Sequence, residues 1–311
     1  MENSFGYHSA ATPTAVFISS MLENTGLTTS IISLPQKIDN FSKACRWTHN
    51  RFPAFGDTFR SSQTEQKALD ASGVHTERAL RLFRKAGYAV AKGMHEEASW
   101  KLVFIASCLS KTHKHCDNLS FSLFFDGVEW LIDPSFYNHE YKTGYAAYLR
   151  SAAAHNNLYI EGAEYSIDEG LASVGGMQSG DDFAISGEHR CYDGYVVERR
   201  IEGRLEKLLM RIDDKITPVA GNVKMRLHCG EFVDVLQKEG ELVLTHPASR
   251  YALHIRAEVP CCVIEGKVDA PMGGIAGTTF CKTSIIKTVE FNVLNGVIGC
   301  SIVANLSQIQ N

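Results

Sequence analysis

Proline is scarce in this sequence, at 8 of 311 residues, and charged side chains make up only 21% of it. Both figures exclude a proline-rich linker protein or a highly charged disordered chain. Basic residues are in slight deficit, 31 Lys and Arg against 35 Asp and Glu, for a net charge of -4. No global basic surface for nucleic acid follows from that balance, although a local basic cleft for an acidic polymer stays open. No CxxC spacing occurs among the nine cysteines, whose number is odd and which include the adjacent Cys261 and Cys262. A small disulfide framework is thereby excluded, and mostly free thiols are expected. No apolar run reaches transmembrane length, and the opening Met-Glu-Asn-Ser-Phe-Gly has neither a basic n-region nor a signal-length apolar core. The expectation is a soluble chain without an export signal. What is abundant is apolar residue, 44% over a length sufficient for one large domain or two ordinary ones.

From about Ser9 to Leu27 and from Ser30 to Trp47, apolar residues recur at three- and four-residue spacing, as in Val16, Ile18, Met21, Leu22 and Ile38, Phe41, Ala44, Cys45. Two helices are predicted, with Pro13 in the first turn of one, Gly26 at its end, and Pro35 starting the other near Leu34. Two helices cannot close a bundle, so their apolar faces need cover from the rest of the chain or from another one. Arg51 to Gly73, with Pro53, Gly56-Asp57 and a polar run, reads as a linker, followed by a short helical patch from Thr76 to Lys85. After Gly87 the texture changes to short β-branched and aromatic runs punctuated by glycine, the pattern of a β-sandwich. Its clearest hairpin runs from Ser120 to Asp133 about Asp126-Gly127, a pair suited to a type I′ turn. There is no repeat of fixed period and no low-complexity segment.

Candidate site residues are densest in Thr-His-Lys-His-Cys-Asp-Asn, residues 112 to 118. Histidines at i and i+2 share one side of an extended chain, so His113 and His115 would face one cleft, as zinc ligands or as a general base. On these residues alone a solvated loop with two incidental histidines is the simpler reading. A second group follows: Asp133-Pro134, Tyr137, His139, Tyr141, Arg150 and His155-Asn156-Asn157. In a regular hairpin Asp133 lies opposite Ser120, leaving His115 roughly 16 Å away at the usual strand rise. Only a bend between Cys116 and Leu119 would bring the two together. Taken singly, Asp133 is equally a turn former and His155 a hydrogen-bonded core histidine.

GYAVAKG, HKHCDNLSFSLFFDGVEWLIDPSFY and YLRSAAAHNNLYIEG occur in this order and at suitable spacing. They resemble the C-terminal region of heparinase II/III-like polysaccharide lyases, whose pattern is a His-Gly-His-Ala-Asp run, a hairpin ending in Asp-Pro-Gly, and Arg-Ser-Thr before His-Asn. The resemblance is strong over about residues 86 to 165, with weaker similarity at FPAFGDT and GYVVERRI. It implies a mainly β chain: a stacked antiparallel β-sandwich over 74–311, preceded over 1–73 by a short α-helical remnant of an α/α toroid and a linker.

The resemblance further implies His113 as the catalytic histidine, and His115, Asp133 and His155 as a structural metal site, with zinc as the ion. Such lyases cleave uronic-acid polysaccharides by β-elimination, a tyrosine carrying the proton transfers while Asn and His neutralise charge. SFGYHSAATPTA is similar to the tyrosine-bearing helix, with Thr12 where a tyrosine is expected and Tyr7 available if the alignment shifts. An ordinary helix tyrosine explains Tyr7 equally well. Tyr137, Tyr141 and Arg150 are candidates for substrate contact, or else for sandwich packing and a structural ion pair. The partner implied is an anionic uronate polysaccharide, and family usage implies a periplasmic or cell-envelope setting. Two rivals stand beside the lyase: a non-catalytic glycan-binding relic, and a metallo-β-lactamase-like hydrolase. Against the hydrolase, Asn118 replaces the last histidine of its metal motif and a strand follows at once.

Overall fold

A computed structural model of the protein describes residues 4–25, 31–47, 51–60, 77–142 and 144–306. Helix α1 runs Phe5–Asn24 and α2 Leu34–Cys45. The second starts where Pro35 predicts. The first starts earlier than its periodicity indicates, so Pro13 lies inside the helix rather than in its first turn. It ends at Asn24 with Thr25 as its cap, and Gly26 lies outside the described residues.

Five antiparallel strands follow in sequence order: β1 (Ala79–Phe83), β2 (Tyr88–His95), β3 (Ala98–Ile105), β4 (Phe121–Phe125) and β5 (Val128–Leu131). The stretch from Thr76 to Lys85 expected to be helical therefore holds strand β1 instead, over Ala79–Phe83. Ala79 to Phe83 pairs with Lys92 to Tyr88, and Leu80 and Leu82, two apart, pack on the main core. Tertiary pairing outweighs the local helical spacing of a five-residue run. The β4–β5 hairpin turns at Asp126 and Gly127 with φ of 50° and 77°, as a type I′ turn requires. A bulge between Leu123 and Phe124 shifts the register so that Leu131 faces Leu123. Asp133 is thus displaced from its expected place opposite Ser120, although its Oδ2 still lies 3.5 Å from the Ser120 hydroxyl.

Helix α3 (Gly144–Arg150) and a 3-10 turn (Ala152–Ala154) lead to β6 (Leu158–Ile160). The remaining strands are β7 (Ala172–Ser179), β8 (Asp182–His189), β9 (Val196–Arg204), β10 (Leu209–Thr217), β11 (Val223–His228), β12 (Asp234–Lys238), β13 (Glu241–Thr245), β14 (Tyr251–Ala257), β15 (Cys261–Glu265), β16 (Ile275–Thr279), β17 (Lys282–Ile285), β18 (Lys287–Asn292) and β19 (Val297–Leu306). They form an eight-stranded antiparallel sheet ordered β12-β13-β14-β19-β10-β9-β8-β7, a four-stranded sheet ordered β15-β18-β11-β6, and the β16–β17 pair. A bridge between Leu131 and Cys229 joins the first sheet to the four-stranded one.

The sandwich core follows from side-chain alternation. In β9 and β10 only alternate residues are buried, because one face of the eight-stranded sheet meets water. In β2 and β3 nearly every residue is buried. Ala89, Ala91, Trp100, Leu102 and Phe104 face the core shared with Ile185, Ile201, Ile212 and Ile302 of the large sheet. Their neighbours Tyr88, Val90, Val103 and Ile105 face Phe5, Phe41, Ala44 and Cys45 of the two helices. The first sheet is therefore a middle layer, which is why its strands read as continuous apolar runs. It covers only part of the helices: Val16, Phe17, Ile18 and Met21 of α1 stay exposed.

One buried cation sits in the layer under α2. Lys101 is 4% exposed and its ammonium meets the carbonyl of Arg46 at the end of that helix. Burial first, then repulsion from Lys92, lowers its pKa from the usual lysine range to about 7. Between about pH 7 and the ordinary lysine pKa of about 10.4 the unfolded chain binds the extra proton, so stability rises with pH across that window. Urea unfolding at pH 7 and pH 9 should show this rise in the wild type and a flatter profile in Lys101→Met. An equal slope in both would remove Lys101 as its source.

Candidate functional site at the helix and hairpin junction

The start of α1 is fixed by a segment distant in sequence. The Thr58 hydroxyl accepts the Gly6 N–H at 3.2 Å, shares a 3.0 Å hydrogen bond with Ser4 and donates to the Phe55 carbonyl at 2.7 Å. Free N–H groups at a helix start need such acceptors. Ala54 to Thr58 and Arg60 are buried, so the part of the expected linker that is described is a packed segment. Glu129 of β5 holds it by accepting from the Trp47 indole at 2.8 Å and from Arg60 at 3.2 Å. The arrangement sets Tyr7, one residue beyond Gly6, at a cavity of about 410 Å³ lined by Tyr7, Asp57, Phe59, Phe136, His139 and Phe280 among others.

His113 packs face to face on Tyr7, ring centroids 3.4 Å apart and planes within 9°. The loop carrying it is turned rather than extended: His113 has φ 53° and Leu119 φ 66°. The two histidines therefore do not share the side of a strand. His113 is partly exposed against Tyr7, whereas His115 is fully buried. The required bend is present, held by Ser120 N–H to Asp117 O at 3.1 Å and Leu119 N–H to Ile105 O at 2.7 Å. The Lys114 ammonium and Asp117 carboxylate form an ion pair beneath the loop, both side chains at 0% exposure.

The bend brings His115 and His155 to a ring-centroid distance of 5.5 Å. Each is oriented by a carboxylate. Asp57 Oδ1 lies 2.9 Å from His115 Nε2, and Asp133 Oδ2 lies 2.8 Å from His155 Nδ1. Burial opposes the charged imidazolium of His155, but the Asp133 carboxylate prevails and its pKa is raised. Burial likewise opposes the Asp57 carboxylate, which hydrogen bonding by His115 holds below the usual range. The other ring nitrogens, His115 Nδ1 and His155 Nε2, are buried without a hydrogen-bond partner. Asp133 Oδ1 has only a long contact, 3.4 Å from the Ser135 N–H. Two imidazoles and a carboxylate are donor types that zinc takes. Among the described residues, no three His, Cys, Asp or Glu side chains are gathered as a metal-holding group.

Two residues at this site carry no role in the sequence reading. Asp57 accepts from both His115 and the Tyr141 hydroxyl, the latter at 2.6 Å, and His139 lies 3.5 Å from it. Burial, then the bond to Asp57, raises the Tyr141 phenol above its usual range. The signal for Asp57 is FPAFGDT, and for His139 its place among the hairpin-end residues. Of the substrate candidates, Tyr141 joins this network, and Arg150 lies over its ring at 4.3 Å while donating to the Lys114 carbonyl at 3.1 Å. Tyr137 lies apart, packed with Tyr145, Tyr148 and Leu149. Thr12 is further along α1, its hydroxyl bonded to the His8 carbonyl at 2.9 Å.

The profile of the heparinase II/III-like C-terminal domain matches residues 75–284. Among solved structures, the heparan sulfate lyase HepC from Pedobacter heparinus aligns with a TM-score of 0.80 at 13% identity, over 99% of this chain and 53% of its own. A heparinase III aligns with a TM-score of 0.74 at 15% identity, over 98% of this chain and 54% of its own. This chain thus spans about half the length of the solved structures that it matches. No curated protein matches. No helix among the described residues is long and apolar enough to cross a membrane. With two thirds of its sequence covered by the profile and its sandwich superposing on those lyases, the chain belongs to the heparinase II/III-like family.

Proposed function

We propose that the protein is a polysaccharide lyase that cleaves uronic-acid-containing glycans by β-elimination at the cavity beside Tyr7. The observation that carries this reading is the contact of Tyr7 with His113, a phenol ring against an imidazole, with Tyr7 lining an aromatic cavity. In the reaction the Tyr7 oxygen, entering as the phenolate, takes the C5 proton of the uronate and becomes the phenol. The C4–O bond breaks as the C4=C5 bond forms, and the leaving oxygen regains a proton from the same phenol. His113 and His139 are imidazoles at hand to hydrogen-bond the uronate carboxylate as charge builds there. Phe59, Phe136 and Phe280 offer apolar faces on which sugar rings stack.

Purified protein incubated with a panel of uronate polysaccharides should generate the ultraviolet absorbance of an unsaturated uronate. Binding without absorbance across the panel would instead support a glycan-binding module. The metallo-hydrolase reading gains nothing from the site: Asn118 donates to the sulfurs of Cys108 and Cys191, and β4 begins at Phe121.

We further propose that zinc is held by His115, His155 and Asp133, with Asp57 orienting His115 through the far side of its ring. The ion would be structural, pinning the loop of His113 to the segment of His155. The purified protein is expected to carry about one zinc per chain. His155→Ala should lose it, Asp57→Asn should weaken it by about 10- to 100-fold, and chelation should lower the melting temperature of the wild type. A folded protein that takes up no zinc, with a melting point indifferent to chelators, would contradict the assignment.

A further inference from the structure

Cys108 follows β3 of the first sheet and Cys191 follows β8 of the large sheet, and both are free thiols. They meet at one side chain. Asn118 Nδ2 lies 3.0 Å from the Cys108 sulfur and 3.3 Å from the Cys191 sulfur. The neighbouring Cys191 thiol, followed by the charge of Lys114 working against burial, holds Cys108 below the usual thiol range. Cys191 is pushed above that range, first by its neighbour Cys108 and then by burial. A lowered thiol beside a raised one has the polarity that thiol–disulfide exchange needs. Cys108 is 7% exposed, which leaves an edge for a small reagent, while Cys191 at 1% is reached from within.

We propose that Cys108 and Cys191 are a reversible dithiol–disulfide site, oxidised by low-molecular-weight disulfides. The Cys108 thiolate attacks one sulfur of the reagent, whose S–S bond breaks to give a mixed disulfide on Cys108 and one free thiolate. That thiolate takes the Cys191 proton. The Cys191 sulfur then attacks Cys108, expelling the second thiolate and closing the internal bond. Two protein thiols are oxidised and one reagent disulfide is reduced to two thiols. The site brackets the loop of His113 and His115, since Cys108 precedes it and Asn118 ends it. Oxidation takes from Asn118 its pair of thiol acceptors and replaces them with a covalent link between the two facing sheets.

The test is exposure of the full chain to oxidised glutathione, acid quench, denaturing maleimide block and peptide mapping without reduction. Exposed Cys262 and Cys281 will take mixed disulfides, so the diagnostic species is the Cys108–Cys191 cross-linked peptide. It should dominate in the wild type and vanish on treatment with dithiothreitol. Cys191→Ser should show instead a stable glutathione adduct at Cys108. The proposal is overturned if both thiols of the wild type still react with maleimide after exposure, or if the cross-link joins other cysteines.

Discussion

Tyr7→Phe should lower uronate-lyase turnover by about 10²- to 10⁴-fold, the range associated with a general acid–base group, while leaving the fold intact. The structural reason is that the Tyr7 ring is the part that packs on His113, and phenylalanine preserves that ring while removing the oxygen. Substrate affinity should change far less than turnover, because the aromatic wall of Phe59, Phe136 and Phe280 is untouched. Thermal unfolding of the variant should match the wild type, and its binding to a non-cleaved polysaccharide should be retained. Turnover within about 3-fold of wild type would remove Tyr7 from the chemistry, since a lost proton-transfer group costs at least 10²-fold.

Asp214→Ala should destabilise the protein by about 3–5 kcal/mol, as expected when a buried ion pair loses one partner. Arg199 and Asp214 are 2% and 4% exposed and paired through two bonds of 2.6 Å each. The same guanidinium donates to the Leu119 carbonyl at 2.6 Å and to the Asn156 carbonyl, which ties the loop after His115 to the segment of His155. Without Asp214 the buried charge keeps only carbonyl partners. Replacing both, as Arg199→Met with Asp214→Leu, should recover part of the stability yet leave the two loops less firmly joined. Urea unfolding of the three proteins decides the matter. A loss below about 1 kcal/mol in Asp214→Ala, a surface-pair value, would mean that the pair is not buried in solution.

The parts of the structure legible in the sequence are those set by local chemistry. Asp126-Gly127 marks its turn because both residues need positive φ, and Pro35 marks the start of α2. β9 and β10 are legible because one face of their sheet meets water and imposes alternation. Where tertiary pairing decides, local reading fails: Ala79 to Phe83 has helical spacing but is stitched to β2. At the site, the approach of His115 to His155 needs two positive-φ residues that are not glycine, His113 and Leu119, and composition gives no hint of these. Asp57 was hidden for a different reason. Its partners His115 and Tyr141 lie far along the chain, and its own surroundings of proline, glycine and aspartate look like a solvated linker. The stacking of Tyr7 on His113 likewise depends on Thr58 capping α1, a contact between segments with no shared periodicity.

Elimination driven by Tyr7 and His113 can be read from the mass of the oligosaccharide ends released from a uronate polysaccharide, followed together with ultraviolet absorbance in the wild type and in His113→Ala. The wild type should form absorbing ends lighter by one water than hydrolytic ends, and the variant should form none. Hydrolytic ends, or equal release by a folded His113→Ala, would contradict that elimination.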